Sequence, residues 1–332
     1  MRAFAVRDYG EPVTENEVPE PIVGASEVLV DVSAAGVNHA DERLRTGGFK
    51  QIFPMDLPLI LGSDVAGRVV AVGDRVTGFE PGDEVYGHPG VGGVGTFADR
   101  VAVAAEHLAL KPASISVVEA ASLPVVALTA WQVLVERGRV GPGQSVLIHG
   151  GAGGVGSISI QLAKHLGATV ATTASASSAD FVRELGADIV VDYRNDDFEE
   201  LLSDVDLVLD SRGGDNLQRS LRVLRRGGKA IGIADPPDPA FAARIDANPV
   251  VKLAIRAMSS RVRRQARRLG VSYEFLLARG DGDQLRQIAE LIDQGVLRPI
   301  IDRVLPFDDT PQALQALTDG GVRGKIVVSR HI

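Results

Sequence analysis

The chain has 332 residues, enough for two domains at about 100 to 200 residues each, and its 45% hydrophobic and 23% charged content excludes a disordered or fibrous protein. No apolar run reaches the roughly 18 residues that a membrane span needs, and a formal net charge of −8 argues against a nucleic-acid partner. The absence of cysteine excludes disulfides, thiolate catalysis and cysteine-ligated metals.

Met1 to Asp8 lacks the apolar core of a signal peptide, and Glu11, Glu15 and Glu17 follow, so a cytoplasmic protein is expected. The next hundred or so residues carry short strand signals separated by Gly and Pro: Glu27 to Val32, Ser63 to Val72, Asp83 to Tyr86 and Arg100 to Val103. Such a texture predicts a β-rich, barrel-like lobe. Gly90 to Gly95 reads as a glycine-rich loop. From Ser145 onward strands and helices alternate. Val146 to Ile148, a helix to Leu166, Thr169 to Thr173, a helix to Leu185 and Ile189 to Val191 come first. Asp206 to Leu209, a helix through Leu224 and Lys229 to Ile233 continue the series. This order predicts a parallel sheet covered on both faces.

The stretch from Lys252 to Arg268 holds seven cations and reads as a helix with a solvated basic face, with a polyanion patch as the alternative. Val271 to Leu277 looks like a strand, Gln284 to Asp293 like a helix, and Ile300 to Leu305 and Lys325 to Ser329 like strands. The six histidines are scattered and none sits at metal-ligand spacing, so no metal site is expected.

The strongest motif is Gly151-Ala152-Gly153-Gly154-Val155-Gly156, a G-x-G-x-x-G between an apolar strand and a helix whose Val155, Ile158, Leu162 and Leu166 keep helical spacing. In such a motif Gly151 permits the tight turn, Gly153 lets backbone approach a pyrophosphate, and Gly156 lets the helix pack closely. The helix N-terminus supplies free amides and positive dipole to the phosphates. An NAD-specific site places an acid about 20 residues on, near Thr173. Here Ala174-Ser175-Ala176-Ser177-Ser178 follows instead, and hydroxyls without a carboxylate favour NADPH. Ser175 and Ser178 also suit the cap of the helix from Ala179.

Taken together, Leu57 to Gly67, Pro81 to Gly87, Leu123 to Trp131 around Thr129, the glycine motif and Gly324-Lys325-Ile326-Val327 resemble the zinc-independent quinone oxidoreductase and enone reductase branch of the medium-chain dehydrogenases/reductases. The resemblance runs nearly end to end. It implies an α/β protein with a GroES-like β-rich barrel domain, residues 1–122 and 283–332, and a Rossmann doubly wound parallel sheet domain, residues 123–282. It also implies a role for Thr129 beside the cofactor. Zinc-dependent relatives carry Cys where this chain has Asn38 and Gly-His-Glu where it has Gly62-Ser63-Asp64, so neither of their zincs is expected here. NADPH-using members add a Tyr, matched by Tyr193, and a Lys, whose position reads Ser178.

Without a Lewis acid, reduction of a conjugated C=C by NADPH is the easier chemistry, with one hydrogen-bond donor holding the enolate oxygen. The family's Asn and Asp match Asn38 and Asp41, which the resemblance places beside substrate and nicotinamide; Asn38-x-x-Asp41 is also a helix-entry pattern. Many bacterial quinone reductases carry a Tyr near Phe49, whereas enone-reductase-like members show Phe-Lys. Lys50 is therefore the candidate electrophile or proton source, with an ordinary surface lysine as the alternative. The expected partners are a small enone, enal or quinone and a second copy of the chain, the late strand Val271 to Leu277 forming a sheet edge that needs cover. A redox-sensing or partner-binding nucleotide module without turnover is the competing function.

Overall fold

A computed structural model gives the fold of residues 1–90, 93–234 and 236–331. The chain divides into two compact units, Met1–Leu128 together with Ala278–Ile332, and Thr129–Leu277.

The first unit is built on a sheet in the order Ile301–Pro306, Lys325–Ser329, Glu27–Val37, Val65–Val72, Glu84–Gly87 and Leu108–Leu110, with Arg100–Ala104 also paired to Glu27–Val37. A smaller sheet joins Thr14–Glu17, Arg2–Val6 and Leu59–Ile60. Val28, Val30 and Val32 alternate along their strand into a core with Leu61, Phe97 and Ile326, as the period of two requires. That strand runs five residues past the expected Val32. Ser33, Ala34, Ala35 and Gly36 are weak strand formers, and the extension is held by partners from elsewhere in the chain. Ile326, Val327, Val328 and Ser329 pair antiparallel with Val37, Gly36, Ala35 and Ala34.

The second unit is a six-stranded, wholly parallel sheet in the order Ile189–Asp192, Thr169–Ala174, Ser145–His149, Val205–Asp210, Leu224–Gly232 and Ser272–Phe275. Numbered along this unit the order is third, second, first, fourth, fifth, sixth, that of a Rossmann sheet. Leu147 and Val208 pack against Leu217 and Leu221 of the helix Gly214–Val223 and against Val262 and Ala266.

The basic stretch forms two helices, Pro249–Met258 and Ser260–Leu269, rather than the single helix its composition suggested. They meet at Ser259, whose hydroxyl donates back to the Ile255 carbonyl. Val262 and Ala266 face the core and Arg261, Arg264, Arg267 and Arg268 face solvent. The glycine-rich run from Gly90 to Gly95 includes Val91 and Gly92, which lie outside the described residues. Among the described residues no helix is long and apolar enough to cross a membrane.

Candidate functional site

In the second unit the chain leaves the strand Ser145–His149 through Gly150, at φ 71°, and enters the helix Gly154–His165 with Gly153 as N-cap. The left-handed residue of this turn is thus Gly150, one place before the motif's first glycine. Gly151 is needed for space, because a Cβ there would lie 2.2 Å from Thr172 Oγ1. Gly156 is needed for the same reason, its Cβ falling 2.2 Å from the Gly150 carbonyl oxygen. At Gly153 the only neighbour of a Cβ would be that same oxygen at 3.4 Å, so this face of the turn is open. An open backbone face beside the first-turn amides of Gly154, Val155 and Gly156, with Ala152 half-buried in the turn, is a cradle that fits a dinucleotide pyrophosphate.

Buried polar groups hold this turn in place. Gly150 N donates to Thr173 Oγ1 at 3.1 Å, and His149 Nδ1 lies 3.2 Å from the same hydroxyl. His149 Nε2 is 2.9 Å from Ser220 Oγ, which itself donates to the Asn216 carbonyl. Ser220 therefore accepts from Nε2–H, and Nδ1 accepts from Thr173. Burial lowers the imidazole to about 4, so it is neutral, as this pattern requires. Thr173, where an NAD-type acid was sought, thus serves the turn.

Ser175 and Tyr193 end adjacent strands, Ala174 pairing with Asp192 and Tyr193 N donating to the Ala174 carbonyl. Tyr193 is 57% exposed, and the Arg194 guanidinium lies 5.6 Å from its ring centroid. Ser175 Oγ is 3.0 Å from Ser177 Oγ and 3.3 Å from Ser178 Oγ, a hydroxyl cluster without a carboxylate on its own segment. Ser178 is buried. Thr129 is buried in the helix Pro124–Trp131.

In the first unit Asn38 and Asp41 come together at the start of the helix His39–Arg45, Asn38 as N-cap and Asp41 at its third position. Asp41 is fully buried; it accepts from Asn38 N at 2.8 Å and lies 2.6 Å from Ser63 Oγ. Burial pushes its carboxyl up to about 7, against the hydrogen bonds from Ser63 and Asn38 that favour the ionised form. The Asn38 side chain does more than mark the helix end. Its Nδ2 donates to Asp64 Oδ2 at 2.8 Å and its Oδ1 accepts from Lys325 Nζ at 2.6 Å.

Lys325 also donates to Asp64 Oδ2 at 3.0 Å and to the Val37 carbonyl at 2.9 Å. Asp64 Oδ1 takes Val125 N at 2.6 Å, at the start of the helix Pro124–Trp131, so this carboxylate lies between an ammonium and a helix N-terminus. A Cβ on Gly36 would lie 2.6 Å from Asp64 Oδ2 and 2.5 Å from the Ala121 carbonyl, which is why glycine stands there. His88 Nδ1 is 2.8 Å from the Ser63 carbonyl, and burial holds this imidazole below its usual range. Lys50 stands apart from this cluster, exposed after the buried Phe49, whose ring takes the Arg43 guanidinium at 4.8 Å.

Sequence reading alone did not give Lys325 a place in the site. The signal was its position in Gly324-Lys325-Ile326-Val327. The strand register, Ile326 opposite Val37, sets Lys325 beside Asn38 across 287 residues.

Residues 185–328 match the family described as zinc-binding dehydrogenase, and residues 24–113 the alcohol dehydrogenase GroES-like domain. The NAD(P)H oxidoreductase RTN4IP1, mitochondrial, of Danio rerio is 34% identical over 99% of this chain and 91% of its own length. The chloroplastic NADPH-dependent alkenal/one oxidoreductase of Arabidopsis thaliana is 33% identical over 99% of this chain and 79% of its own. The structure of the quinone oxidoreductase from Coxiella burnetii superposes with a TM-score of 0.86 at 31% identity, covering 99% of both chains. The two folded units and the glycine cradle, with these matches, define an NAD(P)H-type oxidoreductase scaffold. The chain belongs to the medium-chain dehydrogenase/reductase superfamily, among its quinone oxidoreductase and enone reductase members.

A catalytic zinc, which the first family description implies, does not fit the residues present. Asn38 Oδ1 and Asp64 Oδ2 both accept from an ammonium, and Ser63 Oγ is bonded to Asp41. Among the described residues no group of three or more His, Asp or Glu is arranged to hold a metal ion.

Proposed function

We propose that this chain is an NADPH-dependent reductase of small enones, enals or quinones that handles its acceptor without a metal ion. The observation that carries the reading is the Lys325 ammonium, which takes the acceptors that a zinc ion would need. The names of the Arabidopsis and Coxiella relatives support the acceptor class.

The glycine turn with Gly151 to Gly156, together with Thr129, holds the cofactor. Ser175, Ser178 and Tyr193 set its preference for the 2′-phosphate, the hydroxyl cluster and missing carboxylate supporting NADPH over NADH. Bound there, NADPH supplies the hydride that adds to the β-carbon of the acceptor.

The remaining work falls to the side chains of the first unit. Asn38 donates an amide hydrogen to the carbonyl oxygen, an interaction that strengthens as enolate charge develops. Asp41, poised to hold a proton near neutrality and joined to Ser63, completes the polar wall. Lys50 is the second donor or proton source, its exposure leaving the ammonium free to turn toward an entering acceptor.

The edge strand Ser272–Phe275, paired on one side only within the sheet, supports a homodimer. Oxidation of NADPH and NADH measured against a panel of enones, enals and quinones, with chelator present, tests the proposal. Turnover with NADPH preferred is expected. Tight binding of NADPH with no turnover on any acceptor favours a redox-sensing module instead.

A further inference from the structure

Lys325 is a lysine with no solvent to spend its charge on. Its side chain is 5% exposed, and its three N–H groups meet three acceptors: Asn38 Oδ1, the Val37 carbonyl and Asp64 Oδ2. An ammonium only donates, so the Asn38 atom facing it at 2.6 Å is the amide oxygen. Nδ2 is thereby turned toward Asp64, which accepts one of its hydrogens at 2.8 Å. The other hydrogen has a contact of only 3.4 Å, to the Gly36 carbonyl, at the outer limit of a hydrogen bond. It is the one donor Asn38 has left to offer.

We propose that Lys325 is a positioning residue: its buried ammonium, shared with Asp64, fixes the orientation in which Asn38 presents its amide hydrogen to the acceptor's carbonyl oxygen. The proposal rests on the reading that Asn38 borders the acceptor. Lys325 itself touches no reacting atom and acts through Asn38. Removing the ammonium leaves the Asn38 amide oxygen without its donor and Asp64 Oδ2 without its cation. The oxygen that the ammonium held is then free to leave its place, and the side chain can turn about its own torsions. The amide loses its fixed orientation, and the alignment of donor and acceptor oxygen is lost with it.

The test is a double-mutant cycle of Lys325→Met and Asn38→Ala in the full-length protein, read as kcat and KM on an enone and as NADPH affinity. Lys325→Met is expected to lower kcat about 10- to 100-fold with NADPH affinity kept within about twofold. In the Asn38→Ala background the same change should lower kcat by no more than about twofold, because the residue it acts through is gone. Should Lys325→Met not accumulate as folded protein, the charge-neutral pair Asp64→Asn with Lys325→Met enters the same cycle with the same expectation.

Equal losses in both backgrounds, or a kcat for Lys325→Met within about twofold of wild type, overturn the proposal. A wild-type kcat for Asn38→Ala overturns the reading of Asn38 and the proposal with it. Reduced activity of Asn38→Ala alongside additive effects overturns the positioning role alone.

Discussion

Ser63 Oγ lies 2.6 Å from Oδ1 of Asp41, and both side chains are buried, so a carboxyl and a hydroxyl share one hydrogen bond beside the Asn38 amide. Burial raises Asp41 to about 7, which gives stability a defined dependence on pH. Between its ordinary pKa and the raised one, the folded state holds a proton that the unfolded state has lost. The stabilisation is present at low pH and is lost as pH rises through about 7. Asp41→Asn mimics the protonated form, donating to Ser63 and accepting from Asn38. Thermal melts from about pH 5 to pH 8 should show wild type losing stability relative to this variant, on the order of 2 kcal/mol. Parallel curves would show that Asp41 does not titrate there.

His149 has the opposite sign. Burial lowers it to about 4, so on acidification the unfolded state binds the proton first, and stability falls as pH drops from the usual histidine range toward that value. Thr173 is the link to test. Thr173→Val removes the hydroxyl that accepts from Gly150 N and donates to His149, leaving the buried imidazole and the turn amide without that partner. A loss of about 2 kcal/mol or more in melting experiments and weaker NADPH binding in titrations are expected. An unchanged melt would mean that the turn is held by the glycines alone.

Ser175→Asp places a carboxylate at the end of the second strand of the Rossmann sheet, among hydroxyls that carry no charge. It should weaken NADPH through repulsion of the 2′-phosphate and strengthen NADH through the ribose hydroxyl, reversing the order of affinities. Fluorescence titration of both cofactors checks this. Retention of the wild-type order would move the 2′-phosphate away from Ser175.

For Lys50, Lys50→Met keeps the aliphatic stem and deletes the charge. If the ammonium meets the acceptor oxygen, kcat on enones falls about 100-fold with NADPH affinity unchanged. A kcat within about threefold of wild type removes Lys50 from the mechanism and leaves the oxyanion to Asn38.

The parts of this fold that local sequence determines were legible. The strand–turn–helix around Gly151 to Gly156 and the alternation that builds the parallel sheet follow from apolar period and glycine placement, and the strands from Ser145 to Gly232 fall close to where these put them. What escaped depends on distant pairing. Ser33 to Val37 extends a strand because Lys325–Ser329 lies against it, with Ala66 pairing Ala34 on the other side. Lys325 became a buried cation through that same register, and nothing within several residues of it announces Asp64. The basic stretch broke into two helices at Ser259, where a hydroxyl competes for the backbone, a choice its charge pattern does not encode. Asn38 and Asp41 were legible as a helix-entry pair, but that pattern hid that the Asn38 side chain also meets Lys325 and Asp64.

NADPH supplies the two electrons for reduction of a conjugated carbonyl on this chain, and isotope transfer tests that chemistry most directly. Purified protein is given NADPH deuterated at its transferable position, with chelator and an enone, and the product is analysed by mass spectrometry and NMR. A saturated ketone carrying deuterium at the β-carbon, with a solvent hydrogen at the α-carbon, is expected. An unreduced enone and undiminished labelled NADPH, with a quinone tried in parallel and likewise left unreduced, would contradict it.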